Sequence, residues 1–210
     1  MEPIILIGGG GHCISCIDVI EKAGLYKILG ILDLPEKKGE KILNYSVIGT
    51  DADIVDFVKK CPNFLITVGQ INSSSIRRKI FENIVRAGGN LPSITSPLSH
   101  VSEYASIGKG TIIMHHVLIN AGASVGDCSI LNTKSLIEHE AVIGDFCHIS
   151  TAAVINGQVN VGDNCFIGSN TVVANNTNIN ADTIIAAGSQ VLRNIEIPGT
   201  YIGQPLRKIR

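Results

Sequence analysis

The sequence predicts a small α/β unit followed by a parallel β-helix. Three observations indicate this: a six-residue period of aliphatic side chains from Val101 to Val191, small side chains at a fixed offset from them, and a strand–glycine–helix pattern near the N-terminus. A six-residue period is typical of hexapeptide repeats wound into triangular coils. It matches neither the helical period nor simple strand alternation. A sandwich of short strands is rejected because its variable turns would break the register.

The first residue of every hexad is aliphatic, and we expect it to point inward and to stack in columns from coil to coil. The fifth position is small or β-branched throughout, which suits a crowded corner. The second position is often Gly or Asn, and we expect these residues to supply the backbone angles of a sharp corner. The first positions are Val101, Ile107, Ile113, Ile119, Val125, Leu131, Ile137, Ile143, Ile149, Ile155, Val161, Ile167, Val173, Ile179, Ile185 and Val191.

The first 90 residues contain a pattern typical of a ligand-binding α/β fold. A buried strand at residues 4–7 leads into Gly8-Gly9-Gly10-Gly11-His12 and then a helix that ends at Gly24. A second strand ends at Asp33, about twenty residues after the glycines, as in dinucleotide-binding folds. We expect Gly10, Gly11 and His12 to approach a phosphate and Asp33 to take a ribose hydroxyl, although the spacing is not a clean GxGxxG. The alternative is a tight turn that binds nothing.

Further elements complete this unit. Thr50 and Asp51 predict the start of a helix that reaches about Lys60. A third strand over residues 64–68 closes at Gly69, which should lie at the same sheet edge as Asp33, where ligands of open α/β sheets bind. Asn72 and Ser73 can cap a last helix with an apolar stripe, which ends at Gly88-Gly89. The stripe consists of Ile76, Ile80, Ile84 and Val85.

The predicted domain boundaries follow from these patterns. Residues 1–90 form the α/β domain, residues 91–100 a linker or first extended pass into the coil, residues 101–191 the β-helix, and residues 192–210 a turn-rich tail. The charged end of the tail could cap the open coil and shield its strand edges.

Composition excludes several classes of protein. The formal net charge is −1, aromatic residues make up 4% and Trp is absent, which argues against nucleic acid or an anionic membrane as partner. No apolar run is long enough to span a bilayer, and we expect a cytoplasmic protein whose six cysteines form no disulfides. Cys13 and Cys16 form a lone CxxC, which is a weak signal for a redox pair or half a zinc site. Cys147 and Cys165, one coil apart, should stack as small apolar groups.

The strongest candidate for chemistry is Glu138-His139-Glu140. His139 is third in its hexad and therefore projects from a corner, where a neighbouring carboxylate can fix its tautomer and raise its basicity, as a general base requires. His148 is half a coil further along, so it would meet His139 only in a shared cleft or across a subunit boundary. His115 and His116 raise the alternative of a zinc site, as in a carbonic anhydrase built on such a coil. Their spacing gives no strong ligand set, and we expect no metal.

The repeats and their ending, Gly203-Gln204-Pro205, resemble the left-handed β-helix acyltransferases. Over nearly the whole chain, the sequence is similar to one family that contains bacterial UDP-4-amino-sugar N-acetyltransferases and sialic acid O-acetyltransferases. The segments that carry this resemblance are the glycine-rich start, residues 130–140 with the core Asn-Thr-x-Ser-x-Ile-Glu-His, residues 143–150, and Asn156-Gly157. The resemblance implies a Rossmann-like N-terminal domain followed by a left-handed parallel β-helix.

The resemblance also implies homotrimers, acetyl-CoA as donor, and active sites between neighbouring β-helices. It assigns His139 as catalytic base and Glu140 as the acid that raises its basicity. It places Asn132 and His148 near the sugar and the acetyl group, and the remaining site residues along two surfaces. The coenzyme A groove would contain Gly157, Ser169 and Ala187, and the nucleotide pocket would contain Gly10, Gly11, His12, Asp33 and Gly69.

Some positions depart from the family pattern. Leu34 stands where nucleotide-sugar members can carry a second acid, and Gln70 replaces an Asn found in some relatives. His139, Glu140 and His148 favour N-acetylation of a nucleotide-linked, UDP-type amino sugar for surface glycans. Residues 150–157 are closer to the sialic acid branch, so O-acetylation of a sialic or nonulosonic acid is the main alternative, and a scaffold without catalysis is a further one.

Overall fold

The computed structural model describes residues 1–203 and 206–209, so Gln204 and Pro205 of the predicted terminal motif lie outside the described residues. The strands of the N-terminal sheet are β1 (Glu2–Ile7), β2 (Tyr26–Leu32), β3 (Lys41–Ile42), β4 (Tyr45–Gly49) and β5 (Asn63–Ile66). Their order is β3-β4-β2-β1-β5; β4, β2, β1 and β5 run parallel, and β3 pairs antiparallel with β4. The parallel strands follow the order 3-2-1-4 of the Rossmann sheet, to which β3 adds a hairpin strand.

The helices of this domain are α1 (Gly11–Ala23), α2 (Ile54–Phe57) and α3 (Ser75–Ala87), with 3-10 turns at Pro35–Lys37 and Asp51–Asp53. Gly24 and Gly88 end α1 and α3 in the left-handed conformation that glycine adopts at little cost. Thr50 forms a capping box with Asp53. The helix expected to reach about Lys60 is therefore split into a 3-10 turn and one α-helical turn.

Helix α3 buries only part of the predicted stripe. Its buried residues are Arg77, Ile80 and Ile84, whereas Ile76 and Val85 are exposed. The prediction considered apolar residues alone. It was wrong at Ile76 and Val85, because the guanidinium group of Arg77 is part of the buried stripe. Residues 41–49 form a hairpin that the sequence analysis did not predict.

The C-terminal part is a triangular prism of short strands. From Ile94 to Gly203, successive strands of one side pair in parallel, as Leu118 does with Leu136, whereas Leu206–Lys208 pairs antiparallel with Thr200–Gly203. The hexad first positions fill the interior of the prism. We name the three sides the docked face, the apolar face and the polar face.

The strands of the docked face are Ile94–Thr95, Ile112–Ile113, Ile130–Leu131, His148–Ile149, Phe166–Ile167, Ile184–Ile185, Thr200–Gly203 and Leu206–Lys208. Those of the apolar face are His100–Val101, Leu118–Ile119, Leu136–Ile137, Val154–Ile155, Val172–Val173 and Gln190–Val191. Those of the polar face are Ser106–Ile107, Ser124–Val125, Val142–Ile143, Asn160–Val161 and Asn178–Ile179.

The position of the left-handed residue at each corner differs from the prediction. The left-handed residue is the fourth of the hexad, as at Glu140 (φ 58°) and Gln158 (φ 59°), rather than the second. Glycine occurs at the second position because successive coils stack closely there. A Cβ at Gly162, for example, would lie 2.6 Å from the backbone nitrogen of Ala181 in the next coil. The second-position glycines are thus required by packing and not by backbone angle.

The N-terminal domain covers the first coils of the docked face. Ile112 and Ile130 point outward from this face and are nevertheless fully buried, in one apolar cluster that also contains Cys13 and Ile17 of α1. Strand Ile94–Thr95 within the predicted linker pairs with Ile112–Ile113, and Thr200–Gly203 in the predicted tail pairs with Ile184–Ile185. The domain boundaries drawn from the sequence remain predictions, but both flanking segments contribute strands to the docked face.

Candidate active site

His139 lies at the edge between the apolar and polar faces, which we name the His139 edge. Its side chain is 58% exposed, and its Nδ1 lies 3.4 Å from Oε2 of Glu140. A Cβ added at Gly157, one coil further on, would lie 2.5 Å from Nε2 of His139. The missing side chain at Gly157 therefore creates the space that the imidazole occupies.

Neighbouring coils hold the acids beside His139. Gln158 donates from Nε2 to the same Glu140 oxygen, at 3.0 Å. Glu138 accepts a hydrogen bond of 2.7 Å from Asn120 and also accepts from the backbone N–H of His139. A carboxylate at Nδ1 favours the tautomer whose Nε2 is free to accept a proton. Stacked corners thus give His139 the environment of a general base.

Asn132 lies at the edge between the docked and apolar faces, which we name the Asn132 edge. His148, beside it on the docked face, is nearly buried, and its Nδ1 lies 2.6 Å from the backbone oxygen of Gln70. Its Nε2 lies 3.3 Å from Nδ2 of Asn132. The ring of Phe166 contacts the imidazole edge-on at 5.2 Å. The α/β domain and the prism therefore meet at His148.

The half-buried His12 and the buried His148 lie together at this domain junction. The rings of His12 and His148 are 6.5 Å apart. Burial lowers the pKa of His12 to about 3, with the Arg77 guanidinium and His148 acting in the same direction. Burial also lowers the pKa of His148 to about 4; the hydrogen bond to Gln70 opposes this shift, and Arg77 adds to it. Both rings are therefore neutral at pH 7.

Arg77 joins the end of β5 to the prism. It is 1% exposed and donates to the backbone oxygens of Ile66, Val68 and Cys128, at 3.0, 2.6 and 2.6 Å. Gln70, also buried, donates from Nε2 to the backbone oxygen of Phe146 at 2.7 Å. These bonds fix residues 66–70 against the corner residues of the prism.

A cavity of about 460 Å³ lies at the carboxyl ends of the N-terminal strands. Its lining includes Gly8, Asp33, Thr50, Asp51 and Ile76. Burial opposes ionisation of Asp33, but Lys37 and the backbone N–H groups of Leu34 and Gly9 outweigh it and lower the pKa of the carboxyl. The Asp33 carboxylate accepts a hydrogen bond from the backbone N–H of Gly9 and so holds the glycine loop in place. Gly69 lies against the side chain of His12.

Of the four glycines before His12, the structure requires Gly8 and Gly9 but leaves space for a side chain at Gly10 and Gly11. Gly8 has φ +103°, and a Cβ at Gly9 would lie 2.8 Å from the Asp33 carboxylate. At Gly10 and Gly11 a Cβ would meet no atom within 4 Å, and neither residue has a positive φ. Gly10 caps α1 without a side-chain hydrogen bond. The N-terminus of α1 is thus open to an anion.

The positions predicted along the coenzyme A groove fall on two edges of the prism. Gly157 lies on the His139 edge, whereas Ser169 and Ala187 lie on the Asn132 edge, above Ser150. The Ser150 and Ser169 hydroxyls are hydrogen-bonded at 2.9 Å. One chain therefore brings together His139, Glu140 and Gly157, and separately Asn132, His148 and His12, with the apolar face between the two groups.

Sequence reasoning missed the supporting residues Arg77, Gln158 and Asn120. Arg77 could have been recognised as a charged residue three and seven positions before Ile80 and Ile84, on a stripe that is otherwise apolar. Asn120 and Gln158 precede and follow the Glu138-His139-Glu140 segment by one coil, so the six-residue period could have placed them beside it.

The other predicted histidine and cysteine candidates have structural roles. His115 bridges the domains: Nδ1 is 2.6 Å from Oγ of the buried Ser96, and Nε2 is 2.7 Å from Asp18 of α1. Cys13 and Cys16 are buried in α1, and burial raises the pKa of the Cys13 thiol to about 11. Cys147 and Cys165 are buried one coil apart. Within residues 1–203 and 206–209, no group of three or more His, Cys, Asp or Glu side chains could hold a metal ion.

Among residues 1–203 and 206–209, no helix has both the length and the apolar character needed to cross a membrane.

Two family models match the chain. The PglD N-terminal domain matches residues 3–84. The bacterial transferase hexapeptide (six repeats) matches residues 140–175 and 158–193. A search of curated protein sequences found no match.

Several solved structures resemble the whole chain. A mutant perosamine N-acetyltransferase from Caulobacter crescentus, in complex with CoA and GDP-perosamine, is 26% identical; the match covers 100% of this chain and 98% of that one, with a TM-score of 0.93. The acetyltransferase domain of PglB from Neisseria gonorrhoeae is 26% identical over 100% of both chains, with a TM-score of 0.91. The acetyl coenzyme A complex of that domain is also 26% identical over 99% of both, at 0.91.

These likenesses extend over the N-terminal domain, the prism and their junction. The predicted fold class, an α/β Rossmann-like domain followed by a left-handed parallel β-helix, is confirmed. From its two matched domains and its full-length structural relatives, we conclude that the protein is an acetyl-CoA-dependent acetyltransferase that resembles the left-handed β-helix sugar acetyltransferases.

Proposed function

We propose that the protein transfers the acetyl group of acetyl-CoA to the amino group of a nucleotide-linked amino-deoxy sugar, with His139 as general base. The sugar nucleotide binds with its diphosphate at the N-terminus of α1 and its nucleoside in the adjoining cavity. The expected setting is the synthesis of surface-glycan building blocks.

The observation that carries this proposal is the relation between His139 and Gly157. The imidazole occupies the space that a side chain at position 157 would fill, with Nδ1 towards Glu140. Because this edge is exposed, Nε2 can be reached by a substrate from solvent. An imidazole that is held in place and backed by a carboxylate suits proton removal from an attacking nucleophile.

The reaction needs no covalent enzyme intermediate. The amine nitrogen attacks the thioester carbonyl, and Nε2 of His139 takes a proton from it. The C–N bond forms as the C–S bond breaks, and coenzyme A leaves as the thiolate, which the same proton can neutralise. The six cysteines are all buried, so attack by a thiol of this chain has no structural support.

A homotrimer would complete the site. The apolar face carries an outward column of Leu118, Leu136, Val154 and Val172, of which Leu118 is 36% and Val172 40% exposed. The corresponding polar-face positions are Ser106, Ser124, Val142, Asn160 and Asn178. Contact between copies through the apolar column would bring the His139 edge of one prism to the Asn132 edge of the next, and so unite the two groups of site residues.

Nitrogen is favoured over oxygen as the nucleophile. The Caulobacter relative that covers this chain is an N-acetyltransferase crystallised with GDP-perosamine, an amino sugar nucleotide. In addition, the N-terminal cavity with its open helix N-terminus gives a nucleotide diphosphate a place to bind. A free sialic acid would leave that cavity without a role.

The test is to follow release of free thiol from acetyl-CoA with a panel of UDP-, GDP- and dTDP-linked amino sugars and with free and CMP-linked sialic acids. We expect turnover with an amino sugar nucleotide and its loss, by about a hundredfold or more, in His139→Ala. Turnover with a sialic acid and not with any amino sugar would contradict the proposal.

A matched control is Asn178→Ala, which removes a polar side chain from the polar face, away from both the His139 edge and the Asn132 edge. We expect Asn178→Ala to retain activity. Near-normal turnover in His139→Ala would remove His139 from its proposed role even if acetyl transfer to an amino sugar is observed.

A further inference from the structure

Three neighbouring strand ends of the N-terminal sheet lie along the nucleotide cavity. Strand β1 leads into Gly8 and the open N-terminus of α1, and β2 leads into Asp33. Strand β4, which pairs with β2, leads into the 3-10 turn that begins at Asp51. Adjacent strands of a sheet are about 4.8 Å apart. A diphosphate at the end of β1 and a ribose at the end of β2 therefore leave the base at the end of β4.

Apolar side chains line this part of the cavity. They come from the segments that follow β2 and β5 and from α3, and they are Leu34, Pro35, Val68, Ile76 and Ile80. Leu34 and Ile76 are exposed although both are large and apolar. A flat heterocycle in the cavity would cover them, and removal of apolar surface from water favours binding. Such contacts suit any base, so the choice among bases falls to the polar groups of the cavity.

The carboxylate of Asp51 is the polar group that remains available to a base. Asp33 already accepts hydrogen bonds from three donors of its own domain, and Asp53 accepts from Thr50. Asp51 lines the cavity, and no donor within residues 1–203 and 206–209 reaches its carboxylate. Burial and the Asp33 charge raise the pKa of Asp51, while Lys79 opposes this shift. A carboxylate in this state is stabilised by N–H donors of a ligand.

The bases differ in what they present to a carboxylate, which can only accept hydrogen bonds. Guanine has two adjacent donors, N1–H and the N2 amino group, and together they match the two oxygens of one carboxylate. Uracil and thymine have a single donor, N3–H, between two carbonyl oxygens that a carboxylate repels. Adenine and cytosine have an acceptor nitrogen beside the amino group. Guanine is therefore the base that satisfies both oxygens of Asp51.

We infer that the sugar nucleotide is a guanosine diphosphate sugar, and that Asp51 selects it by accepting hydrogen bonds from N1–H and the N2 amino group of guanine. The inference rests on the proposed function, because acetyl transfer to a sugar nucleotide gives the cavity its ligand. Nucleotide selectivity can nevertheless be measured without any transfer reaction.

The backbone that carries Asp51 is held in place independently of a ligand. Thr50 and Asp53 form a capping box that fixes the 3-10 turn. The carbonyl oxygen of Gly49 accepts a hydrogen bond of 3.0 Å from the backbone N–H of Asp33. These bonds tie the segment before Asp51 to the end of β2, where the ribose is expected. Because none of them uses the Asp51 side chain, its replacement should leave the fold intact.

Calorimetric titration of the wild-type protein with nucleoside diphosphates measures the selectivity. We expect GDP to bind about tenfold or more tightly than UDP, dTDP, CDP or ADP, because the other bases lose a bidentate contact. IDP keeps N1–H but lacks the N2 amino group, so its affinity should lie between those of GDP and ADP. Affinity for UDP or dTDP equal to that for GDP, equal affinity for GDP and IDP, or absence of GDP binding would overturn the inference.

Asp51→Asn tests the residue. An amide offers one acceptor and one donor in place of two acceptors, and this pair matches xanthine, in which a carbonyl oxygen replaces the N2 amino group. We expect about tenfold or more loss of GDP affinity and tighter binding of XDP than in the wild type. Unchanged GDP affinity, or its loss without a gain for XDP, would remove Asp51 from the role. The gain for XDP also shows that the variant is folded.

Asp56→Asn is the matched control. It removes the same charge from an exposed carboxylate of α2 that pairs with Lys59 and does not line the nucleotide cavity. We expect the affinities for GDP and XDP to stay at their wild-type values. A loss of GDP affinity as large as that of Asp51→Asn would mean that net charge, and not a contact with the base, sets the affinity.

Turnover separates this inference from the proposed function. If the wild-type protein binds GDP selectively but acetylates no amino sugar nucleotide, acetyl transfer fails and the selectivity for guanine stands. If UDP- or dTDP-linked amino sugars are acetylated with a kcat/KM equal to or above that of GDP-linked ones, acetyl transfer stands and the selectivity for guanine fails.

Discussion

The imidazole of His139 lies against the backbone of Gly157, one coil along the prism, at a distance that leaves no room for a Cβ. A methyl group at Gly157 would begin 2.5 Å from Nε2 and 2.6 Å from Cε1 of the ring. The position of the proposed base is therefore set by a glycine that is distant in sequence and adjacent in space.

Gly157→Ala should displace the His139 ring and lower kcat by about a hundredfold, because a misplacement on the order of 1 Å can cost that much. The side chain can move outward to solvent, so we expect the melting temperature to change little. The measurements are steady-state kinetics and thermal unfolding.

Gly162→Ala provides the matched comparison. A Cβ there would meet main-chain atoms of Ala181, which cannot move aside. This variant should lose stability, in contrast to Gly157→Ala, which should lose activity. Equal loss of stability in both variants would show that Gly157 serves packing and not the position of His139.

Gly10→Asp should stabilise the folded protein and weaken nucleotide binding. Gly10 is the extended N-cap of α1, and an Asp there can accept a backbone N–H of the first turn, which adds roughly a few tenths of a kcal/mol. The same carboxylate would repel a diphosphate at the helix N-terminus. Calorimetric titration with nucleoside diphosphates and thermal unfolding measure the two effects. Unchanged nucleotide affinity would place the diphosphate elsewhere.

Leu136→Glu should dissociate the proposed trimer. Leu136 lies in the middle of the outward apolar column, and a contact between copies there would bury the new charge without a partner. Light scattering after size-exclusion chromatography should show monomers, and acetyl transfer should be lost because the two edges no longer meet. Ser124→Glu, on the polar face, should leave both properties unchanged; a trimeric Leu136→Glu protein would rule out this face as the interface.

Stability should fall as the pH is lowered from about 6.5 to about 4. Burial lowers the pKa of His12 to about 3 and that of His148 to about 4, from an ordinary value of 6.5. In this interval the unfolded chain binds protons at both positions and the folded chain does not, so stability rises with pH. Urea denaturation at a series of pH values measures the slope. His148→Asn should reduce the slope of stability against pH by the contribution of about one proton. A slope that this substitution leaves unchanged would mean that His148 is not buried as a neutral ring.

Much of the prism could be predicted from residues alone. The inward columns follow from the hexad period because every coil repeats the same local geometry, and His139 at a third position had to project from a corner. The α/β domain was harder to predict from the sequence. The hairpin of Lys41–Ile42 and Tyr45–Gly49 has short strands with few apolar residues, and the buried face of α3 contains Arg77. Local propensity cannot indicate a buried guanidinium whose partners are backbone oxygens far along the chain.

The sequence by itself determined the repeat, the direction in which its side chains point, and the identity of Glu138, His139 and Glu140 as neighbours, because these depend on spacing within one or two hexads. Tertiary structure alone decided that Gly157 would make space for His139 and that the Gln70 carbonyl would meet His148. Those contacts join residues 18 and 78 positions apart, and their geometry depends on how coils stack and how two domains pack.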